Sequence, residues 1–113
     1  MSKRTPKLVL EDIFEAAESI ITYTEKITYE EFVNDKKTID AVIRNFEIIG
    51  EAVKLLPLVL KNKYTEINWQ RIRGFRNRII HDYFGVDLSI VWTIIETQIM
   101  DLKNNINQIL SEI

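Results

Sequence analysis

The side chains best suited to chemistry in this 113-residue chain lie in one short segment, Arg76-Asn77-Arg78-Ile79-Ile80-His81-Asp82-Tyr83. His81 is the sole histidine and there is no cysteine, so a metal would have to be held by carboxylates around one imidazole. Metal binding is therefore set aside, and no cofactor is expected. An imidazole titrates near neutrality and can move protons, while a guanidinium is a fixed planar cation that grips phosphate bidentately. Together they meet the needs of breaking an RNA phosphodiester by its own 2′-hydroxyl: His81 for proton transfer, Arg76 for the charge building on phosphate oxygens. Asn77, one helical turn before His81, could hydrogen-bond the imidazole and fix its tautomer, and Tyr83 adds a phenol nearby. On the residues alone the alternative stays open, since a lone histidine is more often structural.

Helical arithmetic limits this picture. At about 100° per residue, Arg76 and His81 stand about 140° apart around a helix, whereas Arg76 and Tyr83 differ by only about 20°. Either the arginine reaches around, or the helix unwinds near His81, or two copies of the segment assemble the site across a dimer axis. The last is the favoured expectation.

Charge is also concentrated here. No acidic residue lies between Glu66 and Asp82, yet Arg71, Arg73, Arg76 and Arg78, four of the six arginines, all do. That window carries +4 within a chain of net charge −2, leaving −6 elsewhere. A basic patch on an acidic body attracts phosphate at one place, so Arg71, Arg73 and Arg78 are candidates for RNA backbone attraction, with a solvated helix face as the plain alternative. Trp69, Phe75 and Phe84 could stack on bases, but such residues are more often core. Glu47 and Glu51, one turn apart, could serve as acids or more simply pair with Arg44.

The elements that must position these residues read as helices. Thr5-Pro6 has the form of an N-cap and first helical residue, followed by Ile13, Ala17, Ile20, Thr24 and Ile27 at spacings of three and four, which predicts a helix over about 6–27. Thr28 with Glu31 forms a capping-box pattern that opens a short turn. Asp35 then starts a helix over about 36–56 with the seam Ile39, Val42, Phe46, Ile49, Val53 and Leu56, where Gly50 and Ala52 would admit a neighbouring backbone and Pro57 ends or kinks the element. A polar stretch, KNKYTEIN, follows. Asn68 caps a helix from Trp69 toward His81 or Tyr83, Gly85 breaks it, and Asp87 or Ser89 opens a last long helix with Ile95, Ile99, Leu102, Ile106, Ile109 and Ile113. RIIHDYF would also suit a strand, but it would have no sheet to join.

The expectation is one all-α domain over residues 1–113, an up-and-down bundle of about five helices. Apolar residues at 46%, with three glycines and two prolines, fit a folded helical globule. Surplus apolar positions such as Ile43, Leu55, Ile94 and Leu110 suggest a homodimer. The absence of cysteine fits a reducing cytoplasm, the N-terminus meets Glu11 and Asp12 too early for a signal-peptide core, and no apolar run approaches membrane-span length, so no membrane partner is expected.

Arg76-Asn77-x-x-x-His81-x-Tyr83 resembles the signature of HEPN-domain ribonucleases, specifically the HepT-like toxins of MNT/HEPN toxin–antitoxin pairs. The similarity extends through Ala41-Val42-Ile43-Arg44-Asn45-Phe46-Glu47-Ile48-Ile49-Gly50-Glu51-Ala52, through Trp69, Ile72 and Gly74, and on to Val86-Asp87 and Trp92, so nearly the whole chain is covered. The resemblance implies a HEPN-like helical dimer whose two motifs face one cleft. It implies a metal-independent endoribonuclease toxin of a type VII pair that leaves a 2′,3′-cyclic phosphate. By it, Arg76 and His81 are catalytic, Asn77 orients the site, and Tyr83 is the position to which a partner MNT-type nucleotidyltransferase antitoxin adds AMP. Two other readings stay open: a non-catalytic HEPN-like dimer that binds a nucleotidyltransferase or a nucleotide, and a DNA-binding regulator using the arginine-rich helix.

Overall fold

The first helix, α1 (Pro6–Thr24), starts where its sequence says it should. Thr5 accepts from the Leu8 amide through its hydroxyl oxygen, and proline occupies the first helical position, where no amide hydrogen is needed. Val9, Leu10, Ile13, Ala16, Ala17 and Ile20 form its buried face. Thr24 is buried too, and its hydroxyl donates to the Ile20 carbonyl at 2.7 Å, so no polar group is left unpaired there. The helix ends three residues earlier than its periodicity predicts, and Ile27 packs against the core from the turn beyond.

These features belong to a computed structural model that describes residues 4–79 and 87–113. Thr28 and Glu31 form the reciprocal capping box of α2 (Tyr29–Val33), which sets Phe32 fully into the core. Asp35 caps α3 (Lys36–Leu55), whose buried residues Val42, Phe46, Ile49 and Val53 follow the expected seam, with Leu56 buried just past its end. α3 lies along α1, and α1 also packs against the C-terminal helix, so these three long elements enclose the core. No strand occurs among the described residues, and no helix among them is long and apolar enough to cross a membrane. The architecture is all-α.

Two short elements depart from expectation. Pro57 precedes α4 (Leu58–Lys63), an element not expected, whose last three residues take up the start of the stretch KNKYTEIN expected to be polar loop. α4 buries no residue fully and sets only Leu60 against the core, so it carries no apolar period by which a sequence could announce it. The helix expected from Trp69 onward is divided at Gly74 into α5 (Trp69–Arg73) and α6 (Phe75–Ile79). Of the strand-like segment RIIHDYF, Arg78 and Ile79 are helical; the remainder, and the break assigned to Gly85, lie outside the described residues.

The last helix opens at Asp87, whose Oδ1 accepts from the Ser89 amide at 3.0 Å and the Ile90 amide at 3.3 Å. It runs as α7 (Leu88–Ile94), a π-helical turn (Ile95–Ile99) and α8 (Met100–Glu112). Its buried positions are Val91, Ile94, Ile99, Leu102, Ile106 and Ile109, with a step of five from Ile94 to Ile99. The π turn holds the extra residue. Ile94, expected beside the seam, is therefore fully buried, while Ile95, expected within it, is only half-buried, and Ile113 is exposed. Of the surplus apolar residues, Ile43 and Leu110 pack against this same core, and Leu55 stays 53% exposed beside Leu58 and Val59 of α4.

Candidate active site

Short helices need anchors, and α5 has three. Asn68 Oδ1 accepts from the Arg71 amide at 3.0 Å, the Trp69 indole donates to the Tyr64 carbonyl at 3.1 Å, and Trp69 and Ile72 are buried. Gly74 closes the helix with its amide directed at the Gln70 and Arg71 carbonyls, at 3.0 and 3.1 Å. The Arg78 amide then reaches back to the Gly74 carbonyl at 3.1 Å, so the helical bonding resumes at once. Phe75 fixes α6 to α3 through an edge-on contact with Phe46, the ring centroids 5.8 Å apart. Trp69 and Phe75 thus belong to the core and are not free to stack on bases. Phe84 lies outside the described residues.

A groove of about 400 Å³ runs between these elements. One wall is α3, with Glu47, Gly50, Glu51 and Lys54; the other is Gln70, Arg73, Gly74 and Asn77. Both walls have the same spacing, i, i+3, i+4, i+7, which marks one face of a helix on each side and shows that the α5 face continues across Gly74 into α6. The glycines set the floor. A Cβ on Gly50 would lie 3.4 Å from the Arg73 carbonyl oxygen, and one on Gly74 would lie 3.3 Å from that of Gln70. The expected close approach at Gly50 is therefore made by α5, and no side chain rises from either glycine to fill the groove.

Asn77 is exposed on the groove wall, and Arg76 precedes it in α6 as a backbone position whose side chain is not described. His81 and Tyr83 lie outside the described residues. The other arginines do not form one patch. Arg73 faces the α3 groove, whereas Arg71, two residues earlier, lines another groove of about 250 Å³ with Thr97 and Asp101 of the C-terminal helix. Arg78 is exposed. Glu51 pairs with Lys54 at 3.3 Å instead of the expected Arg44. Gln70 and Lys54 were not singled out as site residues, although the matching spacing of the two walls could have marked them.

The family model described as Ribonuclease HepT-like matches residues 13–109, a span that includes both groove walls and the whole Arg76 to Tyr83 segment. The chain belongs to the HepT-like ribonuclease family. Its relatives in that family match it almost end to end. A Thermococcus cleftensis protein named "Probable ribonuclease HepT" is 44% identical over 107 residues, covering 95% of this chain and 97% of its own. A Methanocaldococcus jannaschii protein named as a candidate RNase is 41% identical over 113 residues, all of this chain and 93% of its own. One from Caldanaerobacter subterraneus, named likewise, is 38% identical over 109 residues, covering 96% of this chain and 97% of its own. No solved structure gives a significant match.

Proposed function

We propose that this HepT-like family member is a metal-independent endoribonuclease, the toxin of a type VII toxin–antitoxin pair. The observation that carries the proposal is the coincidence of the family match over residues 13–109 with Arg76-Asn77-x-x-x-His81-x-Tyr83, the one segment that holds both a neutral-range proton carrier and a fixed cation. The 2′-oxygen attacks phosphorus as its proton is removed, the bond to the 5′-oxygen breaks, and that oxygen leaves with a proton. The products are a 2′,3′-cyclic phosphate and a 5′-hydroxyl. His81 moves the protons, Arg76 holds the charge on the phosphate oxygens, and Asn77 orients the imidazole. Arg71, Arg73 and Arg78 draw the RNA backbone toward the site. The active form is a homodimer in the cytoplasm. A nucleotidyltransferase antitoxin silences it by adding AMP to Tyr83, which places negative charge and bulk where RNA phosphate must sit.

The test is cleavage of RNA by the purified protein in EDTA, beside Arg76→Ala and His81→Ala variants whose folding is checked by circular dichroism. The wild type should cut and leave cyclic phosphate ends, and each variant should lose about 100-fold or more. Unchanged cleavage in either variant removes that residue from catalysis, and no cleavage by wild type leaves a binding module. Incubation with the partner and ATP, followed by peptide mass spectrometry, should find adenylate on Tyr83; modification elsewhere overturns that role.

A further inference from the structure

The α3 groove does not end at Arg73. A second concavity of about 780 Å³ also has Gln70 and Arg73 in its lining, together with Leu58, Lys61 and Asn62 of α4, Thr65 and the Glu66 carboxylate in the turn that follows, and Trp69 of α5. Gln70 and Arg73 line both, so the two concavities adjoin at these side chains and together trace a channel with Asn77, in the catalytic segment, on one part and Lys61 on the other. Each part falls within the roughly 300–1,000 Å³ of sites that take one small-molecule-sized group.

From this continuity we infer that the channel is an extended subsite for single-stranded RNA, holding at least two nucleotides on one side of the cut bond, with Arg73 as the central phosphate anchor. The inference rests on the nuclease reading above. Arg73 is suited to the role because it is exposed and makes no ion pair or side-chain hydrogen bond among the described residues, whereas the Lys54 ammonium is already engaged by Glu51. Lys61 adds a second cation farther along. Between them Gln70 and Asn62 present amides, each with donors and an acceptor for base edges. The carboxylates of Glu47 and Glu51 line the opposite, α3 wall of the first part, and Glu66 lines the second, so a polyanion is held with its phosphates at Arg73 and Lys61 and its base edges toward α3. A concave channel of this kind suits a strand with splayed, unpaired bases; a duplex keeps those edges stacked and paired.

The test begins from the mapped cut in a short single-stranded RNA and lengthens that RNA on its 5′ or its 3′ flank in turn. With wild type, added nucleotides on one flank should lower KM and those on the other should not. Arg73→Gln and Lys61→Gln should each raise KM about tenfold, the loss of one charge-assisted contact to phosphate, with a smaller effect on kcat, and should abolish the flank effect. Arg73→Lys should restore part of it. Lys37→Gln, at the far end of α3 and about 26 Å by helix rise from Lys54, should change neither. Fluorescence anisotropy with the same RNA, made uncleavable by a 2′-deoxy sugar at the cut, or left unmodified where the wild type makes no cut, reads binding without chemistry. Cutting by wild type with KM, flank effect and binding unchanged in Arg73→Gln and Lys61→Gln overturns the channel and leaves the nuclease standing. Binding that depends on Arg73 and Lys61, in a wild type that never cuts, supports the channel and overturns the nuclease.

Discussion

Tyr64 ties the start of α5 to the far end of the chain. Its carbonyl accepts the Trp69 indole, and its hydroxyl donates to Glu112 Oε1 at 2.8 Å, across 48 residues of sequence. One wall of the groove is thereby referenced to the last turn of α8. The hydrogen bond to Glu112, then partial burial, then the nearby Glu112 and Glu66 charges all raise the Tyr64 phenol above its ordinary 10.0. Because the folded value lies above the unfolded one, the protonated phenol contributes stability that is fully present below pH 10.0 and is lost as pH rises through the raised value. Tyr64→Phe removes this titration. The melting temperature of wild type should therefore exceed that of Tyr64→Phe at about pH 8, and the gap should shrink toward about pH 11, as followed by circular dichroism. A gap that stays constant over that range would show that the hydroxyl bond is not what titrates. Arg73 and Lys61 stand at the same scale, but their consequence is read in KM and not in stability.

Among the elements, the π turn has the most to say about how this chain is built. A five-residue step from Ile94 to Ile99 keeps both residues in the core while the backbone absorbs one residue more than an α-helix would place there. Deleting the exposed Glu96 shortens that step to four, which a continuous α-helix accommodates with both side chains still inward. The deletion should leave cooperative unfolding with a melting temperature within a few degrees of wild type. Deleting exposed Asn104, in regular α8, instead rotates Ile106 and Ile109 about 100° off the core, and that variant should fail to unfold cooperatively or to express as folded protein. Equal damage from the two deletions would mean that the π turn is itself required. The same turn explains why the seam was legible in part. Val42, Phe46, Ile49 and Val53 announce α3, and the caps at Thr5, Thr28, Asp35, Asn68 and Asp87 announce where helices begin, because both signals are local. A register change in mid-helix, or a helix such as α4 that sets a single residue against the core, leaves no local period to read. The groove lay between these cases. Gly50 signalled a close approach, but that its partner would be α5, and that Arg71 and Arg73 would part into different grooves, depends on packing between segments distant in sequence.

For the molecule as a whole, the proposed site needs more than one face of one helix. Arg76 and His81 are separated by about 140° on an ideal helix, and the described part of α6 is regular up to Ile79. Leu55, Leu58 and Val59 are exposed by 53%, 68% and 82%, which leaves apolar surface on the face where α3 ends, next to the proposed RNA channel. If a homodimer builds each site from the arginine of one copy and the histidine of the other, Arg76→Ala and His81→Ala, each inactive alone, should complement when mixed. Random reassortment makes half of the dimers mixed, and each mixed dimer then has one intact site of two, so recovery should reach about a quarter of wild-type activity. If both residues act within one copy, every site in a mixed dimer keeps one defect and no activity returns. Co-refolding the two variants ensures exchange, and light scattering reports the oligomer in the same samples. Recovery that grows with protein concentration would tie catalysis to association itself, since a site divided between copies exists only while they are joined.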